Sequence, residues 1–212
     1  MPKDSLNPAE AKAMLHRVAD VIIENEPLLS QADRDLGDGD HGLGMQRGMR
    51  AAKEALDAEE AFEEAGKVFA TMGKAMMSSM GGASGVVFGS MFRAGGKAMK
   101  GDSDLTSAGL AATLSAAAES VMQRGGAKLG DKTMLDALIP AAEKAAELSG
   151  QPLHEALPAI ADAAEEGKEA SKDLIATMGR AKTLGERSLG FPDAGACSVS
   201  IILRTMADFA AA

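Results

Sequence analysis

The chain lacks tryptophan and tyrosine altogether, and phenylalanine and histidine are scarce, at six and three of 212 residues. Without the two strongly absorbing side chains the protein is almost transparent in the usual protein absorbance band. A single cysteine, Cys197, excludes an internal disulfide and fits a reducing compartment. It stands in the apolar run ACSVSIIL, where a small core residue is expected rather than a nucleophile. Positive charge is short as well: 22 Lys and Arg against 31 Asp and Glu leave a net charge of -9. A nucleic-acid backbone is therefore not an expected partner, and an acidic protein that handles phosphates needs metal ions or local dipoles to offset its own field. No apolar run approaches the ~20 residues of a membrane span, so no membrane partner is expected. The first residues, MPKDSLNPAEAK, hold no apolar signal-peptide core, so the expected location is cytoplasmic. Strands of period two are also missing.

What is present reads as helix. Hydrophobic residues at 46% and charged residues at 25% describe a soluble globular chain. Its length suits one sizeable domain, residues 1–212, with no second composition regime. Ala, Met, Leu, Glu and Lys, all good helix formers, predominate. The first helix is expected over Pro8–Asn25, with Asn7 as its cap, Pro8 in its first turn and Glu10 at the capping-box position. Ala11, Met14, Val18 and Ile22 form its apolar face. Further helices are expected from His41 to Leu56, from Glu59 to Met80, and through Val87, Phe88, Met91 and Phe92. Others follow from Leu105 to Gln123, from Thr133 to Leu148, over much of Pro152–Met178, and from Ala194 onward. Pro158 either kinks the seventh or marks its first turn. In the eighth, Val199, Ile202, Met206 and Phe209 recur at three or four, which favours helix over a short strand at SVSIIL. Eight helices with short connections predict an all-α fold, an up-and-down antiparallel bundle or barrel. The methionine stripes at helical spacing are expected in its core.

Four loops break the helical pattern. In SQADRDLGDGDHGLGM, Asp33, Asp35, Asp38 and Asp40 crowd into eight positions, and His41 follows. Hard oxygen ligands in a glycine-flexible loop suit Mg²⁺ or Ca²⁺. An EF-hand needs glutamate at loop position twelve. Counted from each aspartate in turn, that position is Gly44, Gln46, Met49 or Ala51. The EF-hand therefore fails, and Mg²⁺ completed by substrate phosphates fits better. The alternative is a solvated acidic turn in which Asp40 caps the following helix. Gly37, Gly39 and Gly42 match G-x-G-x-x-G, but a helix precedes them and no strand is present, so the dinucleotide fingerprint is discarded. GGASG at 81–85 lets backbone approach a ligand at a helix N-terminus, or simply lets two helices pack closely. No Walker lysine signature occurs. The fourth loop, GRAKTLGERSLGFPDAGA, is either a charged lid or an ion-paired surface loop.

Taken together, DRDLGDGDHG, MMSSMGGASG, RGGAKLGDKTMLDALIPA and GRAKTLGERSLG followed by DAGA run in order from residue 33 to 196. In them the chain resembles the L subunit of dihydroxyacetone kinases. The resemblance implies a barrel of eight antiparallel helices holding ADP or ATP through two Mg²⁺ ions at one end. It implies metal binding by Asp33, Asp38 and Asp40, with Asp35 a neighbouring charge. Nucleotide contacts carry over to His41, Gly42, Leu43, Gly44, Ala83, Ser84, Gly125, Met134, Arg180, Asp193, Ala194 and Gly195. Two departures stand out: Gly44, where many members have Asn, and LGFPDAGA, where members often read GHQDPGA. The family phosphorylates a ketose held by a separate K-type subunit, so acceptor activation is expected there and no catalytic residue in this chain. The phosphoryl donor is either exchangeable ATP or a phosphotransferase-system phosphocarrier that recharges bound ADP. His41 as a phosphocarrier nucleophile is the less favoured reading. The rival from another class is a nucleotide-loaded module that docks on a transcriptional regulator without kinase activity.

Overall fold

The computed structural model describes residues 1–212 and contains nine α-helices with no strand. They are α1 Pro8–Glu24, α2 Glu26–Leu36, α3 His41–Asp57, α4 Ala65–Ser79, α5 Gly82–Ala98, α6 Ser107–Gly125, α7 Leu135–Glu147, α8 Leu153–Ala170 and α9 Ala194–Ala211. Eight of them form a closed ring in chain order. Each of α3 through α9 packs on its successor, and α9 returns to α1, which packs on α3. The ninth, α2, stands outside this order and packs against α3 and α9.

Local chemistry explains most boundaries. Asn7 Oδ1 accepts from the Glu10 amide and Glu10 Oε2 accepts from the Asn7 amide, both at 3.0 Å, so the expected capping box starts α1. Lys3, hydrogen-bonded to the Glu10 carboxylate, is the main cause that lowers its pKa, with the Asn7 amide next. The whole predicted face of α1 is buried. The methionines fill the core as expected: Met14, Met45, Met49, Met72, Met76 and Met99 are fully buried. Burial pushes the Cys197 thiol up to about 11, so it is a protonated core side chain. By length and apolar character α9 alone could cross a membrane, but most of it is buried between its neighbours in the ring.

Four expectations need correction. Residues 26–36 are helix, not loop: Asn25 interrupts the chain, Pro27 sits in the first turn of α2, and Leu29, Ala32 and Leu36 are its buried side. That spacing of three and four is readable in the sequence. The helix expected from Glu59 begins only at Ala65. The Ala65 amide donates to the Ser103 carbonyl at 2.9 Å and Glu64 Oε2 accepts from the Gly101 amide at 3.1 Å, so tertiary bonds override the helix propensity of 59–64. α8 stops at Ala170 rather than near Met178, and residues 171–193 form a loop with three short 3₁₀ turns. Pro158 lies inside α8, which runs through it. Finally, the glycine-rich GGASG is less a loop than the first turn of α5, which opens at Gly82 after Gly81 at φ +75°.

Candidate functional site

The N-termini of α3, α5, α7 and α9 gather at one end of the ring, around a cavity of about 430 Å³. Asp33, on the last turn of α2, and Asp38 and Asp40, in the turn leading to α3, place carboxylate oxygens within 4.8 Å of one another. At an effective dielectric near 20, two charges at that separation repel by about 3 kcal/mol. Three such carboxylates make an electronegative cluster that favours a cation. Arg180, from the 171–193 loop, supplies one: its guanidinium pairs with Asp38 and lies 3.7 Å from Asp40. The donor set is all hard carboxylate oxygen, which suits Mg²⁺.

The helix also explains why Asp35 stands apart. Two residues along an α-helix turn the side chain by about 200°, so Asp33 and Asp35 face opposite ways. Asp35 accepts a hydrogen bond from Gln31 Nε2 at 2.9 Å on the exposed side. Gly39, at φ +76°, makes the turn between Asp38 and Asp40; a Cβ there would also sit 2.4 Å from Arg34 Cγ. The expected capping role moves. Asp40 occupies the N-cap of α3 but accepts no cap bond; Asp33 Oδ2 instead takes the His41 amide at 3.1 Å.

His41 is buried at the start of α3, its ring centroid 5.6 Å from that of Phe88. Its Nε2 lies 2.8 Å from Ser198 Oγ, which lies 3.2 Å from the Ala194 carbonyl. The carbonyl can only accept, so the Ser198 hydroxyl donates to it. His41 Nε2 then carries the proton and donates to Ser198, and Nδ1 keeps the lone pair; the network assigns this tautomer. Burial lowers the His41 pKa against the opposing Asp33 charge, so the ring is neutral at pH 7.

Opposite the aspartates, Ala83 and Ser84 line the cavity in the first turn of α5, where no side chain caps the free amides. Asp193 caps α9 by accepting from the Ala196 amide at 2.8 Å, and Ala194 and Gly195 follow it along the wall. Burial raises the Asp193 pKa to about 7, against the Ala196 hydrogen bond, with the Asp136 charge adding to the rise. Met134 closes the α7 side. Helix N-termini carry partial positive charge, so this wall attracts anions while the aspartates attract cations.

Of the residues singled out in the sequence, Asp33, Asp38, Asp40, His41, Gly44, Ala83, Ser84, Met134, Arg180, Asp193, Ala194 and Gly195 line this one cavity. Three do not. Gly42 is buried against α2, Leu43 is about half exposed, and Gly125 ends α6 on the surface. Sequence reasoning missed Lys132 and Thr133, inside the GDKTM stretch it had picked out, and Arg47, whose Nη2 donates to the Met80 carbonyl at 2.8 Å. Lys132 is the single non-glycine residue with positive φ, +58°, a conformation that costs about 1–2 kcal/mol. A second, basic groove of about 610 Å³ on the outer wall is lined in part by Lys67, Arg93, Lys97, Lys100 and Arg124; it lies away from the three carboxylates.

The comparisons with known proteins agree with this geometry. The family model described as the DAK2 domain matches residues 35–208. The chain is 40% identical over 196 residues to a D-erythrulose kinase of Mycolicibacterium smegmatis, covering 90% of this chain and 33% of that kinase. It is 36% identical over 205 residues to the ADP-binding subunit DhaL of the PEP-dependent dihydroxyacetone kinase of Escherichia coli, covering 96% of this chain and 97% of that subunit. The crystal structure of the C. freundii dihydroxyacetone kinase in complex with AMP-PNP and Mg²⁺ superposes with a TM-score of 0.71 at 28% identity, over 96% of this chain and 35% of that one. The chain thus spans about a third of the two long kinases and nearly all of the short subunit.

Proposed function

The chain belongs to the DAK2-domain family, and we propose that it is the nucleotide-binding half of a dihydroxyacetone-type kinase, holding ADP or ATP with Mg²⁺ for transfer to a ketose on a separate K-type subunit. The observation that carries this reading is the pairing, across one cavity, of three clustered carboxylates with the uncapped first turn of α5. Asp33, Asp38 and Asp40 would hold Mg²⁺, two ions in our reading; bound there, the metal neutralises phosphate oxygens and orients them. The first-turn amides at Ala83 and Ser84, with those of α9, would bind phosphate oxygens. His41, neutral and held by Ser198, would contact the ligand as an uncharged ring. Arg180 would exchange its carboxylate partners for phosphate as nucleotide and metal enter. Acceptor activation belongs, in this reading, to the K-type subunit. A cytoplasmic setting is part of the same reading, and the single free cysteine is compatible with it.

Two experiments test this. With no Trp or Tyr in the chain, a purified sample carrying bound nucleotide shows a nucleobase band that denaturation releases. Reconstitution with a K-type subunit, a short-chain ketose and Mg²⁺ should then form ketose phosphate from ATP or from a phosphorylated carrier protein, and the two arms identify the donor. If neither arm yields product while nucleotide binds, the kinase assignment falls and a nucleotide-loaded docking module remains.

A further inference from the structure

Lys132 is a buried lysine at a strained position whose ammonium donates to backbone carbonyls rather than to a carboxylate. Its Nζ donates to two backbone carbonyls, Ser171 at 2.6 Å and Phe191 at 2.7 Å. These two residues stand at the opposite ends of the 171–193 loop, the segment that carries Met178, Gly179, Arg180 and Ala181 to the cavity. Next to them the Gly190 amide donates to the Lys172 carbonyl at 2.8 Å, and Ser171 Oγ accepts from the Asp193 amide at 3.0 Å. The ends are therefore drawn together, as in an Ω-loop, and one ammonium bridges the neck. Lys132 reaches that point because its own turn is imposed: the buried Asp136 carboxylate accepts from the Gly130 and Thr133 amides, each at 2.6 Å, and of the two residues between them Lys132 is held at φ +58°. The ring does not need this contact to close, since α8 and α9 pack along their lengths without it. A strained backbone that persists at a cavity wall points to a role there.

We propose that Lys132 is a positioning residue that locks the neck of the 171–193 loop, holds Arg180 over the cavity and thereby sets how long nucleotide stays bound. The last clause rests on the nucleotide reading above; the lock itself does not. Removing the ammonium takes two charge-assisted bonds from the neck: the Ser171 carbonyl keeps only the Leu174 amide, at 3.3 Å, and the part-buried Phe191 carbonyl loses its protein partner. Met at this position keeps the length of the side chain without donors. Gly relieves the positive φ and separates backbone strain from the ammonium.

The test is amide hydrogen exchange on the full chain without nucleotide, for wild type, K132M and K132G. Both variants should exchange the amides of Ala176 and Gly190 at least about tenfold faster, with the amides of α1, α4 and α6 unchanged. The dissociation of a fluorescent ADP analogue in Mg²⁺ should quicken by a similar factor. Unchanged exchange at Gly190 in both variants, or equal loss of protection throughout the ring, would overturn the lock. Faster loop exchange with an unchanged dissociation rate would overturn its link to nucleotide residence. Wild type that binds no ADP would remove the nucleotide reading and leave the exchange result to judge the lock alone.

Discussion

Gly42 and Gly44 stand two residues apart on α3 and so face opposite ways, and they should respond to the same methyl group with opposite signs. A Cβ on Gly42 would sit 2.4 Å from the Glu26 carbonyl oxygen, 2.4 Å from Ser30 Oγ and 2.7 Å from the Ser30 amide nitrogen. Two of those atoms are backbone of α2, so the helix must shift as a body. Overpacking of this kind costs about 1–3 kcal/mol, and rigid backbone places Gly42→Ala near the top of that range. The helix propensity gained over Gly returns up to about 1 kcal/mol, leaving a net loss near 2 kcal/mol. At Gly44 the nearest atoms to a new Cβ are Arg47 Nη2 at 3.9 Å and the Met80 carbonyl at 4.0 Å. Gly44→Ala therefore keeps only the propensity gain. In a chain of 212 residues each kcal/mol moves Tm by about 2–4 °C. Differential scanning calorimetry of the ion-free protein should place Gly42→Ala about 4–8 °C below wild type and Gly44→Ala up to about 4 °C above it. Because α2 carries Asp33, Gly42→Ala should also weaken Mg²⁺-dependent nucleotide binding in a titration. A Gly42→Ala protein that melts at or above wild type would refute the packing of α2 on α3.

Three further outcomes follow from the site. Asp38→Asn should abolish Mg²⁺-dependent retention of nucleotide on a desalting column while Asp35→Asn leaves it unchanged, because Asp35 faces Gln31 on the far side of α2; equal effects would refute the split between them. Asp193, raised from 3.8 to about 7, binds its proton more tightly folded than unfolded. Its contribution to stability is therefore full below about pH 4 and is lost as pH rises to about 7, by at most about 4 kcal/mol. Asp193→Asn keeps an acceptor for the Ala196 amide, so its urea midpoint should match wild type at pH 4 and exceed it at pH 8; parallel midpoint curves would refute the shift. Ser198→Ala strands the His41 Nε2 proton in the core at a cost of about 1–3 kcal/mol, and nitrogen NMR of the wild-type imidazole should report the neutral Nε2–H form at pH 7; an imidazolium signal would refute the tautomer.

What the sequence determined by itself is the class of fold and the chemistry of the loops. Apolar spacing of three and four made eight helices legible, and the capping box at Asn7 and Glu10 placed the start of α1 to the residue. Crowded aspartates raised the expectation of a hard-cation site, because repulsion at that density favours an opposing charge. Where local signals lost, a long-range bond won: the Ser103 carbonyl and the Gly101 amide unwind 59–64 despite good helix formers. The resemblance had set Asp35 apart from Asp33, but the physical reason, opposite faces of one helix, came only from the tertiary structure, as did the close packing of Gly42 under α2. Lys132 was invisible for the same reason. Its neighbours in sequence say glycine-rich loop, while its partners, Ser171 and Phe191, lie 39 and 59 residues away and meet its ammonium only when the ring closes.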